Sequence, residues 1–299
     1  MRIVSAKMPF RFFDSPLFLH PVFHAMRTCA RLLALRLFVS DEGALPASTV
    51  PPMLRRRLSP LGRLAAAAAL AVPADNATED PVECAARASD TAWVFASRRA
   101  DIARAVEELR NIRAGDGVSP AHFATSVHNG IEALLSIAAG HTGAETAVAG
   151  GLFTAEAGFE AAVGLLSEYP RVLLLVADEA PESVFGDKAA PAFAGVMLLG
   201  RAEPEAARTL CDAGAPEGEP LLALFTRPKT EEESVDARLE DPAGALSALR
   251  EVFAWLREED APLLTRVDRR VAHVWTKTKA FVDSVEAATT DAPESACDR

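Results

Sequence analysis

The chain has 299 residues, 49% apolar and 24% charged, the composition of an ordinary globular protein rather than a disordered one. Its net charge of −11 and pI near 5.1 argue against nucleic acid as a partner. No run of about 18 apolar residues is present, so no membrane span is expected.

The charge is unevenly spread. Residues 1–70 hold ten basic and three acidic residues, a local balance of +7 that leaves −18 in the remainder. That split predicts a basic patch for an acidic partner on an otherwise acidic body. Four scattered cysteines (Cys29, Cys84, Cys211, Cys297), none in CxxC spacing, read as reduced thiols of a cytoplasmic protein.

In chain order, residues 1–48 form an N-terminal segment of uncertain role, in which Met1–Met8 could be an edge strand. Val22–Val39 has helical spacing and reads as a helix packed on the domain, with an organellar transit peptide as the alternative. After Pro51-Pro52, Leu54, Leu58, Leu61, Leu64 and Ala65–Ala69 predict a strong helix with Arg55, Arg56 and Arg57 near its start. Pro73–Thr78 reads as a loop, Thr91–Ala96 as a strand, Arg99–Ile112 as a helix and Gly115–Pro120 as a turn.

The stretch Ser119–Glu179 organises the rest. A helix over Asn129–Ala139 stops at Gly140, and a short strand, Glu145–Ala149, leads to Gly150-Gly151. A helix over Thr154–Ser167 and a buried strand over Arg171–Ala177 complete a βαβ unit with parallel strands. The elbow after the first strand of such a unit is where a nucleophile or ligand usually sits. Here it carries Leu152 and Phe153, neither of which can attack anything. Pro181–Pro191 reads as a loop, Phe193–Leu199 as a strand, Glu205–Leu210 as a short helix and Leu221–Phe225 as a strand. Gly244–Arg257 is an amphipathic helix, Val271–Trp275 a last strand, and residues 278–299 a flexible acidic tail.

Catalytic motifs are missing. The six histidines (20, 24, 122, 128, 141, 273) show no metal-ligand spacing, and His20 and His24 are separated by Pro21. No GxSxG, GxxxxGK[ST] or GxGxxG occurs. His128-Asn129 reads as a helix cap or satisfied core pair, with direct catalysis as the sharper alternative. Asp178-Glu179 reads as a solvated loop pair, with acid/base chemistry as the alternative. No cofactor and no metal are expected.

Ser119-Pro120, Asn129, Gly140 and Gly143-Ala144 fall at matching steps of the β-ketoacyl synthases, condensing enzymes of the thiolase fold that this stretch resembles. The blocks PPMLRRRLSPLGRLA, VFASRRADIARAVEELR, SPAHFATSVHNGIEALLSIAAG and RVLLLVADE, with FAWLREEDAPLL before Val274-Trp275, are similar to shortened β-ketoacyl synthase-like N-terminal domain proteins. Where these accompany a true synthase in aryl polyene-type clusters they are called chain-length factors. The likeness covers roughly residues 50–277.

The resemblance implies an α/β, thiolase-like domain over 49–277: a single mixed sheet of about five strands with helices on its faces, the N-terminal half of a condensing enzyme. It places the vacated nucleophile position at Leu152, or at Val148 if the register is set on Thr146-Ala147. It implies a non-catalytic subunit that forms a heterodimer with an active β-ketoacyl synthase, pairing through Glu145–Ala149. Such a half-molecule would expose apolar surface unless another chain covered it. Phe123, His128, Asn129 and Phe153 become candidate walls of an acyl tunnel, and Arg55, Arg56 and Arg57 a candidate docking patch for an acyl carrier protein. Two alternatives stay open: a stand-alone acyl-thioester hydrolase or acyltransferase using His128 or Asp178, and an acyl-binding pseudoenzyme.

Overall fold

Val172, Leu174 and Val176 turn to one face of strand β4 (Arg171–Ala180), and Leu173, Leu175 and Ala177 to the other; all six are buried. A strand covered on both faces belongs to the middle of three layers. The computed structural model describes residues 26–40, 48–71, 80–180, 190–205, 220–239, 242–259 and 261–279. The other strands there are β1 (Met26–Val39), β2 (Thr91–Ala96), β3 (Glu145–Val148), β5 (Ala190–Arg201), β6 (Leu221–Pro228), β7 (Leu263–Val267) and β8 (Val271–Lys277). They form one mixed sheet in the order β3-β2-β4-β5-β1-β6-β8-β7. The expected sheet of about five strands is therefore corrected to eight. β2 runs parallel to both β3 and β4, and the remaining pairings are antiparallel.

One face is covered by α2 (Pro60–Ala69), α3 (Pro81–Arg87) and α6 (Gly130–Ala139), the other by α7 (Thr154–Leu165) and α8 (Pro242–Arg257). The helix expected from Leu54 onward is split into α1 (Pro52–Arg55) and α2. Ser59 caps the second piece, accepting from the Gly62 amide at 3.0 Å, and Pro60 occupies its first turn. Its alanine run packs flat on the sheet, fully buried. Two short helices go beyond the sequence reading: α3, capped by Asp80 through the Val82 and Glu83 amides, and α5 (Pro120–Ser126), begun by Ser119-Pro120. α4 (Ile102–Ala114) matches its expected helix closely. β7 was not anticipated either.

The largest correction is at the N-terminal side. Val22–Val39 was expected to be helical, but residues 26–39 are a strand lying between β5 and β6. A β-bulge between Leu32 and Ala34 explains the misreading. It shifts the strand's parity, so Ala30, Leu32, Leu35 and Val39 all join the core on the α7 side. Spacings of three and four along that set imitate a helix. Arg36, fully buried on the opposite face, donates to the Ala68 carbonyl at the end of α2 at 3.0 Å and pairs with Asp80.

The expectations for Met1–Met8, Pro73–Thr78, most of Pro181–Pro191, most of Glu205–Leu210 and nearly all of the acidic tail fall outside the described residues, as do His20, His24, Cys211 and Cys297. Cys29 and Cys84 form no disulfide. No helix among the described residues is long and apolar enough to cross a membrane.

Candidate functional site

The C-terminal ends of the parallel strands β3, β2 and β4 meet at the glycine elbow. Gly151 takes a left-handed φ of +57°, and a Cβ on Gly150 would meet the Phe153 carbonyl oxygen at 2.7 Å, so neither position accepts a side chain without strain. The chain then makes a single 3-10 turn, Gly151–Phe153, and enters α7. Thr154 fastens this turn: its hydroxyl accepts from the Gly150 amide at 3.0 Å and donates to the Gly151 carbonyl at 2.8 Å. Both bonds are internal to the turn.

Leu152 and Phe153 point inward and are 6% and 9% exposed. The space beneath them is filled from β6, β7 and β8. Arg266 of β7, fully buried, donates to the Leu152 carbonyl at 2.6 Å and to Glu156 Oε1 at 2.6 Å. Its guanidinium lies 5.1 Å from the centre of the Phe153 ring. Trp275 Nε1 adds a second bond to Glu156 Oε1 at 3.0 Å and stacks on Phe159, 4.9 Å away. The His273 imidazole also packs against Phe153, 4.6 Å between ring centres. Thr226 donates its one hydroxyl proton to Glu160 at 3.2 Å, which leaves His273 Nδ1–H to donate to the Thr226 oxygen at 3.1 Å. Burial lowers the His273 pKa against the pull of Glu156 and Glu160, favouring the neutral ring.

The other expected site residues scatter around this plug. His128 Nε2 donates to the Val148 carbonyl at 3.2 Å, tying the turn before α6 to the end of β3. Asn129 occupies the N-cap position of α6, but its side chain makes no cap bond and is exposed. Phe123, on α5, is 59% exposed and makes no ring contact among the described residues. Leu152, Phe153, Val148 and His128 thus gather at the elbow, while Phe123 and Asn129 face outward.

Asp178 overturns its expectation of a solvated loop pair: it is fully buried at the end of β4. Arg98 Nε donates to its Oδ2 at 2.5 Å and Ser97 to its Oδ1 at 3.4 Å. Burial outweighs Arg98 and holds the Asp178 carboxyl above its ordinary range. Glu179 is pushed up to about 7 by burial and by Asp101.

Arg55, Arg56 and Arg57 are exposed at the end of α1 and just beyond it. Arg56 and Arg57 border a cleft of about 170 Å³ with Arg104, Ala121, His122 and Thr125.

A family model described as "Beta-ketoacyl synthase, N-terminal domain" matches residues 34–275. The chain belongs to this β-ketoacyl synthase family. Among solved structures, a ketosynthase in complex with its chain length factor from Xenorhabdus doucetiae is similar at 19% identity and a TM-score of 0.55, over 83% of this chain and 98% of that one. The ishigamide ketosynthase/chain length factor is similar at 14% identity and a TM-score of 0.53, over 84% of this chain and 99% of that one. No curated protein matches. The two structural likenesses establish a thiolase-like fold for this β-ketoacyl synthase relative.

Several residues that fill the elbow of this synthase-like chain were absent from the sequence reading. Arg266, Glu156, Thr226 and Glu160 look like ordinary surface residues one at a time. The one available signal was Glu156, a charge between Ala155 and Ala157 at the apolar start of α7.

Proposed function

We propose that this chain is a non-catalytic β-ketoacyl synthase-like subunit, a chain-length factor that partners an active ketosynthase in fatty-acid, aryl polyene or polyketide-type synthesis. The observation that carries the reading is the elbow. Condensation needs a thiolate, or at least a hydroxyl, to hold the acyl group at this turn. Val148 and Leu152, the two candidates for the vacated position, have inert side chains. Around Leu152 and Phe153 the space is filled by Arg266, His273 and Trp275.

The edge position of β3 supports the partnership. Among the described residues no strand lies on its outer side, and an unpaired edge is a template for a strand from another chain. His128 and Phe153, near that edge, and Asn129 and Phe123 on the outward surface are the proposed walls of an acyl tunnel completed by the synthase. Arg55, Arg56 and Arg57 are the proposed docking patch for an acidic acyl carrier protein.

The stand-alone acyl-thioester enzyme is less well supported, because His128 spends Nε2 on Val148 and Asp178 is buried against Arg98. Co-expression with a β-ketoacyl synthase should give a complex that survives size exclusion, and omitting this chain should change product length. Elution as a stable monomer, together with an unchanged product, would overturn the proposal.

A further inference from the structure

The cleft beside α1 carries a set of cations that the elbow does not use. Arg56 and Arg57 are exposed, and among the described residues neither guanidinium has a hydrogen-bond or ion-pair partner. Arg104 is held in place beside them: Nη1 donates to the Arg57 carbonyl at 3.1 Å and to Thr125 Oγ1, while Nε lies 3.6 Å from Asp101. His122 is oriented in the same way from behind. Its Nδ1 bonds to Glu108 Oε1 at 3.2 Å, and Glu108 Oε2 accepts from the Ser119 amide at 3.2 Å. With Nδ1–H committed to a carboxylate, His122 Nε2 donates to an anion in the imidazolium form, which the Glu108 carboxylate supports.

Asp101 and Glu108 are buried at 2% and 4% exposure, and neither lines the cleft. The negative charges therefore steady Arg104 and His122 from the protein side. The cleft is lined by three arginines, Arg56, Arg57 and Arg104, together with His122, Thr125 and Ala121.

We propose that this cleft binds a phosphate monoester or diester group. The guanidinium groups of Arg56 and Arg57 each offer a planar fork that matches two phosphate oxygens at once, and Arg104, with Nη1 and Nε already engaged, adds Nη2. The volume of about 170 Å³ is large enough for a phosphate group. The inference goes beyond the docking patch, with which it shares Arg56 and Arg57: Arg55 belongs to the patch but does not line the cleft, whereas Arg104 and His122 line the cleft but lie outside the patch.

The test is calorimetric titration of the full chain with inorganic phosphate at constant ionic strength, with chloride as the control. Saturable phosphate binding is expected, weakened about 10-fold or more by R56A/R57A and by H122A, as loss of charge-assisted bonds requires, and unchanged in R55A. H122A also serves where R104A fails to fold, since His122 is exposed. Equal heats with chloride, or phosphate affinity unaltered in R56A/R57A, would overturn the proposal. Parallel titrations with ADP and with a glycerophosphodiester distinguish the source: tighter binding of ADP points to a free nucleotide, equal or tighter binding of the diester to a phosphodiester-linked group on a partner. Phosphate binding that persists when carrier-protein docking fails would sink the docking reading alone.

Discussion

Arg266 and Glu156 form an ion pair that is 0% and 1% exposed in its side chains, with Glu156 Oε2 and Arg266 Nε left without partners among the described residues. Desolvating both charges is costly, and removing one strands the other. Glu156→Ala should therefore destabilise the chain by about 3–5 kcal/mol. Arg266→Met combined with Glu156→Leu should recover much of that loss, and urea unfolding of the single and double variants would measure both. A second residue-scale prediction concerns Glu132. It is 1% exposed, and burial, with Glu145 adding to the effect, pushes its pKa up from 4.5 to about 8. Between those values the native state keeps a proton that the unfolded chain has released, so stability falls as pH rises through that window. Glu179, pushed up to about 7, acts with the same sign. Glu132→Gln mimics the protonated form. It should raise Tm above pH 8 and lose that advantage near pH 5, in thermal melts across the pH range.

At the scale of elements, β1 is the piece most easily misjudged. It donates and accepts on both sides, with β5 and β6, and its buried Arg36 reaches across to α2. A chain starting at residue 49 would lose the strand that joins the two halves of the sheet. Such a chain should be insoluble or molten, with near-UV dichroism lost, whereas a native-like spectrum would show β1 to be dispensable. β3 is the opposite case, a four-residue strand paired on one side only among the described residues. The βαβ unit predicts β3 as a strand parallel to β4, but not its place at the edge of the sheet, because β2 inserts between β3 and β4.

At the scale of the whole molecule, the expectation of a bare half-enzyme changes character. α7, the helix behind the elbow, is covered on its sheet side by β2 and β4 and contacted by α8 and by Trp275 of β8. The strands β6, β8 and β7 thus cover much of what a missing repeat would have left open around Phe153, Glu156 and Phe159. The β3 edge and the outward faces of α4 and α5, where Leu109, Ile112, Phe123 and the adjoining Val127 are exposed, form the surface proposed for a partner.

The amino-acid sequence by itself determined those elements whose signal is local. The central strand–elbow–helix–strand unit follows from apolar periodicity and glycine placement, and the lack of a nucleophile at Val148 and Leu152 follows from residue identity alone. Asp80-Pro81 and Ser119-Pro120 were equally legible as helix starts, although they were passed over. Tertiary structure alone decided what lies under the elbow. The bonds from Arg266 and Trp275 to Glu156 span 110 and 119 residues, and no local pattern distinguishes these side chains from solvated ones. It also decided β1, because a bulge made a strand's buried face repeat at helical intervals, and pairing on both edges outweighed that local resemblance.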